Sequence, residues 1–170
     1  KYTSIAIDTS DSVHISYGIK YTTNASGSWV VTTIGKGGKA TVSAPENLTN
    51  YNSIAIDASD KVCISCFEDY YSDLKYITNT SGTWVTTVVD GYGSDYFSIV
   101  LDSLGKAHVS YCDGDLKYVT NASGSWTTTT VDSNGKVGVY SDIAVYSSNK
   151  LHIGYYDETH WVLKYATNVS

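Results

Sequence analysis

The sequence predicts an all-β protein, a β-propeller of four antiparallel blades of about 45 residues each, on three observations. A short apolar segment recurs four times: Ser4-Ile-Ala-Ile-Asp8, Ser53-Ile-Ala-Ile-Asp57, Ser98-Ile-Val-Leu-Asp102 and, more loosely, Asp142-Ile-Ala-Val-Tyr146, with starts 49, 45 and 44 residues apart. A second landmark follows in every copy, at Lys20-Tyr21, Lys75-Tyr76, Lys117-Tyr118 and Lys164-Tyr165, each leading through two residues to Asn24, Asn79, Asn121 or Asn168. Short β-prone runs separated by turn pairs fill the rest, and no stretch reads as a helix. The repeats run approximately over 1–52, 53–97, 98–141 and 142–170 of one domain, the last blade incomplete.

Each repeat resolves into four strands. The Ser-Ile-Ala-Ile-Asp segment is apolar enough for burial on both sides. A two-residue turn follows, Ser10-Asp11, Ser59-Asp60, Leu104-Gly105 or Ser148-Asn149, a hairpin signal. The second strand is Val13-His-Ile-Ser-Tyr17, matched by Val62–Cys66, Ala107–Tyr111 and Leu151–Tyr155. The Lys-Tyr landmark is the third. The fourth, beginning at Trp29, Trp84 or Trp126, is rich in Thr and suits a half-solvated outer edge. The fourth repeat reaches Ser170 before any such strand, which predicts either a longer natural chain or an open edge filled by a strand from another subunit. The segment 35–52 is longer than its counterparts and is expected to be a surface loop, the alternative being a donated strand at Lys39–Ser43.

Between third and fourth strands lies Thr23-Asn-Ala-Ser-Gly-Ser-Trp29, repeated with small changes. This hairpin resembles a variant of the Asp-box of sialidase-like propellers, with Asn in place of Asp and Gly one residue closer to Trp. The resemblance implies the propeller fold and no activity.

Composition narrows the function. The chain has 11 cationic side chains, all Lys, against 17 carboxylates, for a net charge of −6. That balance argues against nucleic acid or an anionic membrane as partner. No apolar run approaches the roughly 20 residues that cross a bilayer. A sialidase-type site needs an arginine cluster, and Lys does not supply that bidentate fork; no other catalytic constellation stands out, so no catalytic residue, metal site or cofactor is expected. Cys63 and Cys66 sit three apart in a strand and point to opposite faces, which disfavours a redox or zinc pair. Cys66 and Cys112 are candidates for a disulfide in an oxidising compartment.

Five Asn-X-Ser/Thr sites, at Asn24, Asn47, Asn79, Asn121 and Asn168, are candidate glycosylation acceptors. Four are copies of one hairpin, where Asn and Gly are favoured by turn geometry alone. The column His14, Cys63, His108, His152 reads as buried histidines bonded to Ser or Asp between blades, and Asp8, His14, Ser16 and Trp29 share residue types with the structural tetrad of WD-type propellers. The variable loops between second and third strands hold the ligand-binding candidates Tyr70, Tyr71, Asp113, Asp115, Tyr156, Asp157, His160 and Trp161, since carboxylates accept sugar hydroxyls and aromatic rings stack on sugar faces. The leading expectation is a non-catalytic, secreted or surface-exposed structural subunit, glycosylated and self-associating through its last blade. The alternative is a carbohydrate-binding module.

Overall fold

The computed structural model describes residues 3–18, 20–34, 48–68, 72–91, 96–146 and 149–168. They form fifteen strands in four antiparallel sheets, three of four strands and one of three. Blade 1 is β1 (Thr3–Ile7), β2 (Val13–Tyr17), β3 (Lys20–Thr23) and β4 (Val30–Thr33), and blade 2 is β5 (Leu48–Ile56), β6 (Val62–Glu68), β7 (Asp73–Thr78) and β8 (Val85–Asp90). Blade 3 is β9 (Phe97–Leu101), β10 (Ala107–Cys112), β11 (Leu116–Thr120) and β12 (Thr127–Asp132), and blade 4 is β13 (Val137–Tyr146), β14 (Lys150–Asp157) and β15 (Val162–Thr167). Each sheet is a meander in chain order. This is a four-blade propeller architecture with an incomplete last blade, and no α-helix occurs among the described residues. The chain divides into two compact units, residues 1–91 and 92–170, each holding two blades.

The repeated residues have repeated jobs. Asp8 Oδ1 accepts the backbone N–H groups of Ser10 and Ser12, and Asp57 and Asp102 do the same two and four residues on. That bonding shapes the first hairpin, whose second turn residue is left-handed: Asp11 (φ 61°), Asp60 (59°), Gly105 (71°) and Asn149 (57°). The hairpin asparagines act from the far side of the blade. Asn24, Asn79, Asn121 and Asn168 each turn Oδ1 back to accept the backbone N–H that opens the second strand, at Val13, Val62, Ala107 and Leu151, over 2.7–2.8 Å. Val62 and Ala107 are fully buried, so those donors have no access to water and need this acceptor.

Register puts alternate residues on two faces. One carries Ile54, Ile64 and Ile77 in blade 2, and Ile143, Ile153 and Ala166 in blade 4. The other carries Ala6, His14, Thr23 and Ser4, Ser16, Tyr21 in blade 1, with Val100, His108, Thr120 and Ser98, Ser110, Tyr118 in blade 3. In unit 1 the isoleucine face of blade 2 covers the histidine face of blade 1, burying Tyr21, Ile54, Ile64 and Ile77 together with Cys66. The Asn52 side-chain amide donates to Ser16 Oγ at 2.6 Å, Ile54 N donates to Ser4 Oγ at 3.2 Å, and Trp84 packs edge-on against Tyr21 at 5.1 Å between ring centroids. Unit 2 repeats the arrangement: Ile143, Ile153 and Tyr155 pack with Val100 and Tyr118, while Ser98 donates to Asp142 at 2.6 Å and Ser110 meets Ser141 at 3.0 Å.

The histidines correct the sequence reading. They bond inside their own blade, with Asp and Tyr, while the serines cross between blades. His14 Nε2 lies 3.0 Å from Asp8 Oδ2 and its Nδ1 lies 2.6 Å from the Tyr21 hydroxyl. His108 spans Asp102 (3.5 Å) and Tyr118 (2.6 Å), and His152 bonds Tyr165. The reason is register: Tyr21 stands one position diagonal from His14, within reach of its ring. In blade 2 Cys63 substitutes for His, 2.8 Å from the Tyr76 hydroxyl, and burial pushes its thiol up. Cys112 donates to the Val137 carbonyl at 3.3 Å.

Two boundaries also differ. β5 begins at Leu48 and β13 at Val137, each about five residues before the repeated motif, since backbone pairing with β6 and β14 continues past a register shift. The proposed strand at 39–43 lies outside the described residues. The first strands are not buried on both sides throughout: Ile5 and Ile7 are more than 60% exposed in β1.

Candidate functional site

The second-to-third-strand loops of unit 2 are tied together by the chain leading into β13. Val137 N donates to the Gly114 carbonyl at 3.1 Å, Glu158 N to the Lys136 carbonyl at 2.9 Å, and Lys136 N to Thr159 Oγ1 at 2.7 Å. Gly138 makes this passage possible: at φ 94° an added Cβ would lie 2.8 Å from the Leu116 Cα. The β10–β11 turn, which holds Asp113 and Asp115, and the β14–β15 turn, which holds His160 and Trp161, are therefore brought to one end of the unit.

A charged network underlies the second turn. Asp157, fully buried, accepts the backbone N–H groups of Thr159 and His160 at Oδ1, both at 2.9 Å. Its Oδ2 takes His160 Nδ1 at 2.8 Å and Lys164 Nζ at 3.0 Å. Lys164 also reaches Asp132 Oδ2 at 2.9 Å, and that oxygen accepts the Tyr155 hydroxyl at 2.8 Å. Burial works to raise the Asp157 carboxyl, but the bonds from His160 and Lys164 win and hold it well below the usual carboxylate range. The Asn134 backbone N–H and Lys164 lower Asp132. Asp132 and Asp157 together push the Lys164 ammonium up. Burial, followed by the bond to Asp132, pushes the Tyr155 phenol up to about 12. Together these bonds brace the β14–β15 turn.

The network supports an exposed tryptophan. Trp161 takes the left-handed conformation at φ 60° and is 79% exposed. The same turn position is Gly18 in blade 1, Ser72 in blade 2 and Gly114 in blade 3, all with positive φ. A bulky residue there costs roughly 1–2 kcal/mol, and the exposed indole recovers little of it by burial. Beside it the His160 ring is 54% exposed with Nδ1 committed to Asp157, which directs Nε2 outward. Lys136 and Glu158 pair at 2.5 Å on the same rim, which raises the Lys136 ammonium.

The remaining sequence candidates divide as follows. Asp113 and Asp115 share Lys117, each 3.7 Å from its ammonium. Tyr156 is half-buried on β14. Asp157 has its lone pairs committed inside the protein, so it positions the turn. Tyr70, Tyr71 and Asn47 lie outside the described residues. Sequence reasoning missed Asp132, Tyr155 and Lys164, although the recurrence of Lys20, Lys75, Lys117 and Lys164 marked the lysine.

Unit 2 also has a cleft of about 360 Å³ between blades 3 and 4, lined by Tyr118, Val131, Leu151, Ile153, Ala166 and Asn168 among others. In unit 1 the matching place beside Tyr21 is filled by Trp84. Two of the polar groups in the cleft are already engaged, Tyr118 by His108 and Asn168 by Leu151. No described helix is long and apolar enough to cross a membrane.

No protein-family model and no curated protein matches the sequence. Among solved structures 40 chains match. One is a fucose lectin from Kordia zhangzhouensis in complex with methyl-fucoside, 15% identical, with a TM-score of 0.51 over 77% of this chain and 99% of that one. The likeness is one of fold.

Proposed function

We propose that the chain is a carbohydrate-binding propeller module whose contact point is the β14–β15 turn. The observation that carries this reading is Trp161, exposed and held in a strained backbone conformation that three sister turns leave to Gly or Ser. Strain without burial is a mark of a functional position. An indole offers a flat apolar face to the C–H side of a pyranose ring, and His160 Nε2, Lys136 and Glu158 supply hydrogen-bonding groups around it. The structural likeness to a fucose lectin supports the reading at the level of fold. The Asp-box-like hairpins belong to the scaffold in this account. We read the module as non-catalytic and extracellular, with the His160–Asp157 pair beside Trp161 serving to brace the turn. The test is a glycan array that includes fucosides, run with wild type and Trp161→Ala. Binding that Trp161→Ala removes supports the proposal; no binding across the array, or binding indifferent to Trp161, overturns it.

A further inference from the structure

The bond from His160 to Asp157 decides which ring nitrogen carries the proton. Asp157 is fully buried, and its carboxyl, held well below the usual carboxylate range, only accepts. His160 Nδ1, 2.8 Å from Asp157 Oδ2, is therefore the protonated nitrogen. The His160 backbone N–H, 2.9 Å from Oδ1 of the same carboxylate, anchors the residue a second time. In the neutral imidazole Nε2 is left with a lone pair, and it faces outward beside Trp161 on a ring 54% exposed. The charges around this nitrogen lean negative. Behind it Asp157 and Asp132 share one ammonium, that of Lys164. Glu158 pairs with Lys136 on the rim, and on the β10–β11 turn Asp113 and Asp115 share Lys117. Five carboxylates thus stand against three ammoniums at this end of unit 2.

We propose that this site selects neutral pyranosides over their uronic acid counterparts, and that His160 Nε2, an acceptor whose tautomer Asp157 locks, sets the selection. The inference rests on the reading of Trp161 as the sugar contact. A pyranoside hydroxyl donates to the Nε2 lone pair while the sugar ring lies on the indole. A uronate in the same place brings a carboxylate, which has nothing to donate, to a nitrogen that also only accepts. It meets the surplus of negative charge as well. Lys136 does not offset this, its ammonium already being matched by Glu158. Protonating the imidazole reverses the first effect, because Nε2 becomes a donor bearing positive charge. For a hydroxyl this is no loss, since a hydroxyl both donates and accepts. For a carboxylate it turns a lone-pair clash into a charge-assisted bond. Selection against uronates is therefore greatest in mild alkali and narrows in acid.

The experiment is calorimetric titration at about pH 8 and about pH 5, the window in which imidazoles gain a proton. Its probes are pairs that differ only at C6: methyl glucoside with methyl glucuronide, methyl galactoside with methyl galacturonide, and methyl mannoside with methyl mannuronide. In alkali, wild type should bind the neutral member of at least one pair about threefold to tenfold more tightly than its uronate, as one hydrogen bond and one unit of charge imply. In acid the two should come within about twofold of each other, the imidazolium offsetting that difference. His160→Gln has no proton to gain, so its ratio should be the same at both pH values. Nitrogen NMR of wild type, with the His160 signals assigned by their loss in His160→Gln, should place the alkaline-form proton on Nδ1. If no glycoside binds, or none depends on Trp161, carbohydrate binding at this turn fails and the inference fails with it. Other outcomes overturn the inference alone and leave sugar binding standing: Trp161-dependent binding that takes uronates equally well or better in alkali or takes none of these neutral probes, a ratio that does not narrow in acid, a narrowing that persists in His160→Gln, or a proton on Nε2.

Discussion

Replacing Asn121 by Ala and by Asp separates two reasons for its recurrence. Asn121 Oδ1 accepts the Ala107 N–H at 2.8 Å, and the Asn121 N–H returns a bond to the Ala107 carbonyl at 3.3 Å. Ala107 is completely buried. Asn121→Ala leaves its N–H buried and unpaired, a cost of about 1–3 kcal/mol. For a chain of this size each kcal/mol moves the melting temperature by about 2–4 °C, so the drop should lie between about 2 and 12 °C. Asn121→Asp keeps an oxygen acceptor in place and should stay within about 1 kcal/mol of wild type. Both variants remove the glycosylation acceptor alike, so expression in a non-glycosylating host isolates the hydrogen bond. Urea unfolding followed by tryptophan fluorescence measures the difference. If Ala is tolerated as well as Asp, the asparagine is present for something other than this bond, and the structural account of the repeat is wrong.

Equivalent core positions should respond unequally. Ile64→Ala, in the covered face of blade 2, should cost about 2–5 kcal/mol, whereas Ile5→Ala, at an exposed position of β1, should stay within about 0.5 kcal/mol in the monomer; similar costs in urea titrations would contradict the assigned faces. Stability should also fall with acid. The His14 bond, aided by the Ser10 and Ser12 N–H groups, lowers Asp8 from 3.8 to about 2. A carboxyl lowered on folding stabilises the fold above its unfolded value and loses that contribution as pH falls through its folded value. The urea midpoint should therefore drop between about pH 4 and 2, and less steeply in Asp8→Asn, where no charge can be lost; identical slopes would show that Asp8 contributes nothing to the acid limb.

The architecture was legible because each blade repeats its strand, turn and cap residues in order. Ile64 and Ile77 alternate with Cys63 and Tyr76, and a period of two needs no tertiary information to assign faces. What the pattern left open was which faces are covered, since Ile5 and Ile54 sit in nearly identical motifs and differ only in what packs on them. The histidine partners were half legible: Asp8 is near in sequence, but Tyr21 reaches His14 only through strand register. At the candidate site, Trp161 and His160 stood out as aromatic groups in a variable loop. The Asp132–Lys164–Asp157 network did not, because Asp132 and Lys164 come from different blades and their approach depends on how blades 3 and 4 stack.

Calorimetric titration with a panel of methyl glycosides tests the central claim most directly, comparing wild type, Trp161→Ala and, as a control in blade 1, Trp29→Ala. The account predicts saturable binding of at least one sugar by wild type and by Trp29→Ala, weakened about tenfold or more by Trp161→Ala, a loss of roughly 1.4 kcal/mol. Unchanged affinity in Trp161→Ala, or heats indistinguishable from dilution for all three proteins, would contradict it.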